Sequence, residues 1–249
     1  MPATIQIIGS YLSPYVRKVL AFLHCKDLAY EIDPIVPFFG DDEFAALSPL
    51  RRIPVLRDDR VTLCDSSVIC QYLEDRYPEP VLFPTDIADR ARARWLEEFA
   101  DTRMGDVFIW RLFNQLAIKP GVWGKAGDGA LVEQTLATEV PGVLDYLETQ
   151  VPPDGFIFGT LSIADLSLAT FFRNAALVRC TVDVERWPRT AAFVERVLAL
   201  DVFARLRPIE DRLIRTPIAQ HRAVLESLHA PLTRTSYATS SPRPGVMPI

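Results

Sequence analysis

Apolar positions change their period several times along the first eighty residues. Residues 4–8 (Thr-Ile-Gln-Ile-Ile) read as a strand and residues 9–13 as a turn. From Pro14 onward Val16, Val19, Leu20 and Leu23 recur at helical spacing, and a proline in a first helical turn loses no hydrogen bond it would have made. Residues 30–36 predict a second strand and residues 41–47 a short helix. Residues 54–56 and 61–63 predict a strand pair around the Asp58-Asp59 turn. A further helix follows over residues 66–77, with Val68, Ile69, Tyr72 and Leu73 inward and Pro78 and Pro80 past its end. The order, βαβ then ββα, predicts one mixed four-stranded sheet with helices on both faces.

The texture changes after Pro84. From Ile87 to about Ile214 the chain reads as amphipathic helices without a strand, broken at residues 119–129 and 151–159. The expected organisation is an α/β domain over residues 1–81, a linker over 82–86 and an all-helical domain over 87–216. An extension over 217–249 completes the chain: a short helical pattern over 218–228, then about 18 Ser-, Thr- and Pro-rich residues with little to bury, expected to be loosely held.

The 249 residues, 49% hydrophobic and 24% charged, suffice for two compact domains. A net charge of −5, with acids and arginines interleaved, offers no basic stripe that would track a nucleic acid. No stretch reaches the roughly 20 apolar residues of a membrane span, and the N-terminus lacks the pattern of a signal peptide, so a cytoplasmic protein is expected. Cys25, Cys64, Cys70 and Cys180 are widely spaced and the three histidines are not clustered, which disfavours a zinc site or a dithiol redox centre.

Three segments carry candidate chemistry. Ser13-Pro14-Tyr15-Val16-Arg17-Lys18-Val19 places a hydroxyl just before a helix. Ser48-Pro49-Leu50-Arg51-Arg52-Ile53-Pro54-Val55-Leu56 sets a proline between an apolar residue and a strand. Asp65-Ser66-Ser67-Val68-Ile69 opens the next helix with an acid and a serine. In this order and spacing they resemble the cytosolic glutathione S-transferase superfamily, in its serine-type branch (tau, theta and bacterial beta-like), over roughly residues 3–215. The resemblance implies a thioredoxin-like domain followed by the helical one, glutathione as co-substrate and no metal.

By that resemblance Ser13 donates to the glutathione thiolate, where a helix dipole and first-turn amides also favour negative charge. Simple capping of the helix is the competing role for Ser13. The Ile53–Pro54 bond is expected to be cis, Ile53 to pair its backbone with the cysteinyl part, and Arg52 to meet the glycyl carboxylate. Asp65 would accept from the γ-glutamyl ammonium and Ser66 would bind the neighbouring carboxylate. Relatives often carry a second basic residue where this chain has Phe39. Tyr11 is a rival thiolate donor, as in tyrosine-type relatives.

In the helical domain Phe158-Gly159-Thr160-Leu161-Ser162-Ile163-Ala164-Asp165 resembles the family's helix-starting motif, with Ser162 capping and Asp165 returning the bond. Asp101 falls where relatives place an acid that reaches glutathione across a homodimer interface. Tyr11, Phe38, Trp110, Phe113, Trp123 and Phe172 are candidate linings for an electrophile pocket. The expected activity is attack of the glutathione sulfur on a small apolar electrophile. Glutathione-dependent reduction or isomerisation, and a binding protein with little catalysis, are the alternatives.

Overall fold

The computed structural model describes residues 5–243, so Thr4 and residues 244–249, which the sequence reading assigns to the first strand and to the tail, lie outside the described residues. The chain divides into two compact units: residues 1–79, 121–123 and 205–249 form one, and residues 80–120 and 124–204 form the other.

In the first unit β1 (Ile5–Ile8) leads into α1 (Pro14–Cys25) and β2 (Tyr30–Asp33), then α2 (Asp42–Leu47), β3 (Val55–Arg57), β4 (Thr62–Cys64) and α3 (Ser66–Arg76). The sheet order is β2-β1-β3-β4, with β1 and β2 parallel and the other pairs antiparallel, so the expected thioredoxin-like arrangement is present. The observed β2 stops at Asp33, short of the expected residue 36, because Pro34 has no N–H to continue the ladder. A buried cluster of Ile8, Ile35, Phe44 and Val55 ties β1, β3 and α2 together, with Leu47, Ile53, Cys64 and Tyr237 packed against it.

Two features of this unit depart from the sequence reading. Residues 205–216, expected in the helical domain, belong here. On α11 (Arg207–Leu213) the buried carboxylate of Glu210 accepts from Nε of buried Arg17 on α1, a pairing that α11 would lose elsewhere. The segment after α12 (His221–Ser227) is also not loose over its described part. Ile32 N–H donates to Pro231 O at 2.7 Å and Thr233 N–H to Ile32 O at 3.1 Å, adding a parallel bridge between Leu232 and the edge strand β2. The attachment is made of main-chain bonds that composition does not reveal.

The second unit is helical. α4 (Ile87–Phe99) runs into a π-wound stretch, Ala100–Ile118, and onward into α5 (Lys119–Trp123), whose last three residues belong to the first unit. α6 (Gly129–Gln134), α7 (Val140–Gln150), α8 (Ile163–Leu177), α9 (Pro188–Leu198) and α10 (Asp201–Ala204) follow. No residue from 87 to 214 lies in a strand. α8 is buried on every side from Ile163 to Phe172 and packs against α4, the π-wound stretch and α9, the behaviour of a helix without a polar face.

The α8 start forms the expected capping box: Asp165 accepts from the Ser162 amide at 2.9 Å and hydroxyl at 2.8 Å, and from the Ile157 amide at 3.0 Å. α9 has an external cap instead. Glu148 on α7 accepts from the amides of Arg189 and Thr190, both at 2.9 Å, and from the Thr190 hydroxyl at 2.8 Å. Burial pushes the Glu148 carboxyl up, but these bonds outweigh it and hold it below the usual carboxylate range. The stabilisation is therefore fully present above the unfolded-state pKa and fades as pH falls through the lower folded one. Glu148→Ala is expected to cost about 1 kcal/mol at neutral pH. Urea melts of both proteins should converge in acid, and a gap that widens there would contradict the cap.

Candidate functional site

Sheet register gathers the three motifs. Ile8 pairs with Val55, and Val55 pairs with Cys64. These three residues form one row across the sheet, and all three motifs join it at the same end. The chain leaves β1 after Ile8 toward Ser13, enters β3 at Val55 from Ile53-Pro54, and leaves β4 after Cys64 into Asp65-Ser66. Asp33 completes the row through its pairing with Ile8. Two helix N-termini, of α1 and α3, therefore open beside the Ile53–Pro54 bond.

Two residues that sequence reading did not single out bring the segments close. Gly9 has φ +153°, and a Cβ there would come within 2.5 Å of Val16 and 3.2 Å of Ile53. Only glycine lets the first turn of α1 and the Ile53 segment approach this closely. Lys18 is fully buried and its Nζ donates to Ser67 Oγ at 3.0 Å, tying α1 to the start of α3. A glycine at a strand end was the available signal for the first; helical periodicity gives none for a buried lysine.

Ser13 is the N-cap of α1, with extended φ and ψ, and its Oγ accepts from the Val16 amide at a long 3.4 Å. Capping occupies an acceptor site and leaves the hydroxyl proton to be donated elsewhere. The Ile53–Pro54 bond is cis, as expected. Ser48 grips the residue before it: Arg52 N–H donates to Ser48 Oγ at 3.0 Å, and Ser48 Oγ–H donates to Arg52 O at 2.8 Å. The Arg52 guanidinium is exposed, and neither it nor the Ile53 amide and carbonyl has a partner among the described residues.

Asp65 sits at φ 77°, a conformation L-residues rarely adopt, and stores of the order of 1–3 kcal/mol of backbone strain. Its Oδ1 accepts from the amides of Ser67 at 2.9 Å and Val68 at 3.2 Å, while Oδ2 has no partner among the described residues. Capping and ligand binding can share this carboxylate. Ser66, in the first turn of α3, is buried, and its hydroxyl likewise has no partner among the described residues.

The other candidates lie apart from this row. Tyr11 is 1% exposed; its hydroxyl is buried beside Tyr30. Burial pushes the phenol far up, and Tyr30 adds to the rise. The Tyr11 phenol is thus enclosed in the interior, as the rings of Phe38, Phe113 and Phe172 are. Phe38 is buried in the first unit with its ring 5.5 Å, edge-on, from Trp123. In the second unit Phe172 packs on Phe108 with ring centroids 5.3 Å apart, Phe113 is buried, and Trp110 and Asp101 are half-buried on the π-wound stretch. An open groove of about 490 Å³ in the first unit, lined by Pro208, Arg212, Arg215, Thr216 and Gln220 among others, contains none of these residues. Among the described residues no His, Cys, Asp or Glu group has the arrangement to hold a metal, and no helix is long and apolar enough to cross a membrane.

Residues 7–81, which contain the whole row, match the family described as glutathione S-transferase, N-terminal domain. Residues 7–81 form a domain of the glutathione S-transferase N-terminal type. Similarity extends beyond the matched domain. The chain is 28% identical over 209 residues to an uncharacterized GST-like protein of Escherichia coli, YibF, covering 82% of this chain and 98% of that one. It is 29% identical over 205 residues to a maleylacetoacetate isomerase of Pseudomonas aeruginosa, covering 80% of this chain and 93% of the other. A solved glutathione S-transferase structure from Rhodospirillum rubrum superposes with a TM-score of 0.75 at 27% identity, covering 82% of this chain and 91% of that one. The matched domain ends close to the end of the first unit's opening segment at residue 79.

Proposed function

We propose that the protein is a glutathione transferase whose first unit binds glutathione, ionises its thiol and directs the sulfur at a small apolar electrophile. The observation that carries this reading is the sheet row that brings Ser13, Ile53-Pro54 and Asp65-Ser66 to one end, with two helix N-termini and an unpartnered guanidinium beside them. Such an end suits an anionic tripeptide, because helix amides and dipoles favour negative charge.

In the proposed arrangement Ser13 Oγ–H donates to the thiolate while Val16 N–H steadies the same oxygen. The Ile53 amide and carbonyl pair with the cysteinyl backbone. Arg52 meets the glycyl carboxylate, Asp65 Oδ2 accepts from the γ-glutamyl ammonium, and the Ser66 hydroxyl and amide hold the neighbouring carboxylate. Catalysis then comes from a lowered thiol pKa and from positioning, without a metal. Phe38 in the first unit, and separately Trp110, Phe113 and Phe172 in the second, are the proposed candidates for contacts to the electrophile. Asp101 is the proposed contact to glutathione of a second subunit in a cytoplasmic homodimer.

Calorimetric titration with glutathione tests the assignments. Arg52→Ala and Ser66→Ala are each expected to weaken binding about tenfold, the size of one charge-assisted hydrogen bond in a partly exposed site. Unchanged affinity in both would contradict the proposed orientation. A second reading, glutathione-dependent isomerisation, is favoured by the maleylacetoacetate isomerases among the relatives. It uses the same thiolate but returns free glutathione, so product mass separates it from conjugation.

A further inference from the structure

We propose that Tyr237, on the C-terminal segment, is a positioning residue for the Arg51–Arg52–Ile53 loop, and that residues 231–243 brace the glutathione half of the site. This rests on the reading above. The segment first docks on β2: the bonds of Ile32 with Pro231 and Thr233 add it to the sheet edge, and Arg222 donates to Thr233 O. It then reaches the row that carries the site. Ser236 Oγ–H donates to Asp33 Oδ1 at 2.6 Å, and Tyr237 N–H to Asp33 Oδ2 at 2.8 Å. Asp33 is fully buried and Arg222 approaches it at 3.8 Å, so the carboxylate is a fixed anchor point.

From Tyr237 the connection to the loop is continuous. Its Oη accepts from Arg57 Nη1 on β3 at 2.6 Å, and its ring packs against the Ile8, Ile35, Phe44 and Val55 cluster, which Ile53 also joins. Its carbonyl accepts from Asp41 N–H at 2.9 Å, and Asp41 is the N-cap of α2, with Oδ1 accepting from Phe44 N–H at 2.7 Å. The C-cap of α2 is Ser48, whose hydroxyl holds both backbone polar groups of Arg52. A second attachment runs in parallel. Thr239 N–H and Oγ1–H donate to Phe39 O, Arg243 N–H donates to Phe38 O at 2.7 Å, and Arg51 Nη2 donates to Gly40 O at 3.2 Å. Residues 38–41 are thus held on one side by the C-terminal segment and on the other by the loop that presents Arg52 and Ile53.

None of the hydrogen bonds in this chain involves a residue of α1. Removing the brace should therefore loosen α2 and the Arg52 loop while leaving Ser13 in place. The signature is weaker glutathione binding with an intact chemical step, a KM effect rather than a kcat effect.

The test compares wild type with Tyr237→Ala, Tyr237→Phe and a chain ending at Thr235. Amide hydrogen exchange of the ligand-free proteins reads the brace directly and does not depend on any activity. Exchange over residues 41–53 is expected to rise about tenfold or more in Tyr237→Ala and in the shortened chain, with α1 amides within about twofold of wild type. Tyr237→Phe, which keeps the ring and the main-chain bonds, should stay within about threefold. With glutathione, Tyr237→Ala is expected to raise KM about fivefold to tenfold while kcat changes less than about twofold. Unchanged exchange over 41–53 in Tyr237→Ala, or raised exchange without a change in KM, overturns the proposal. If the shortened chain does not fold, the two point variants decide. If wild-type protein binds no glutathione, the transferase reading fails, and the exchange result alone decides whether the brace exists.

Discussion

Ser13→Ala is expected to lower kcat/KM about fiftyfold near pH 6.5 and less than about twofold near pH 9. A free thiol has a pKa of about 8.5, and lowering it to about 6.5 requires about 2.7 kcal/mol of preferential thiolate stabilisation. One hydroxyl donating to an anion, together with the α1 N-terminus, supplies energy of that order. At pH 6.5 about half of such a bound thiol is ionised, against about 1% when neither contribution acts, so fiftyfold is the loss at the limit where the hydroxyl supplies the whole shift, and near pH 9 both are mostly ionised. The folding side of the same substitution is small. The Ser13 cap bond to Val16 is long at 3.4 Å, so a stability loss at or below about 1 kcal/mol is expected. A pH-rate profile beside a thermal melt separates the two roles. A pH-independent loss of activity, or a large fall in stability, would return Ser13 to capping alone.

Asp165→Ala is expected to be the most damaging single change to folding, about 3 kcal/mol or more. The carboxylate is fully buried and serves three donors at once, the amides of Ile157 and Ser162 and the Ser162 hydroxyl. Removing it leaves those donors unsatisfied where the resemblance alone suggests only the loss of an ordinary cap, and unsatisfied buried groups cost about 1–3 kcal/mol each before relaxation. Burial pushes the Asp165 carboxyl above the usual range although all three bonds oppose it. Urea midpoints measure the loss. Glutathione affinity of the protein that remains folded should be unchanged, because Asp165 is bonded to Ile157 and Ser162 and is none of the proposed ligand contacts. A loss below about 1 kcal/mol would mean that the donors find other partners.

Signals carried within a few residues were legible in the sequence. Pro14 and the spacing of Val16, Val19, Leu20 and Leu23 placed the start of α1, and the Ile53-Pro54-Val55 context indicated the cis bond. Helix and strand types came out over both units, with β3 and β4 displaced by one residue and β2 cut short by Pro34. What escaped were long-range consequences of packing. Lys18 reads as a surface residue until Ser67 receives its ammonium, and Gly9 reads as a turn until Val16 and Ile53 close on it. Tyr11 reads as a neighbour of Ser13, yet two residues of separation carried its phenol into the interior beside Tyr30.

The C-terminal segment escaped for a different reason. Its Ser, Thr and Pro content offers little apolar surface, and its hold comes instead from main-chain bonds to Ile32, Phe38, Phe39 and Asp41 and from the anchors Asp33 and Tyr237. Composition measures what a segment can bury and does not count the edge strand that can accept it.

The central claim is that Ser13 and the α1 N-terminus ionise a bound thiol. The most direct measurement is the pH titration of thiolate absorbance of glutathione bound to wild type and to Ser13→Ala, both saturated. An apparent pKa of about 6.5 in wild type that returns toward about 8.5 in the variant is the expected result. Saturable binding with a thiol pKa near 8.5 in wild type, or a low pKa that survives the substitution, would contradict it.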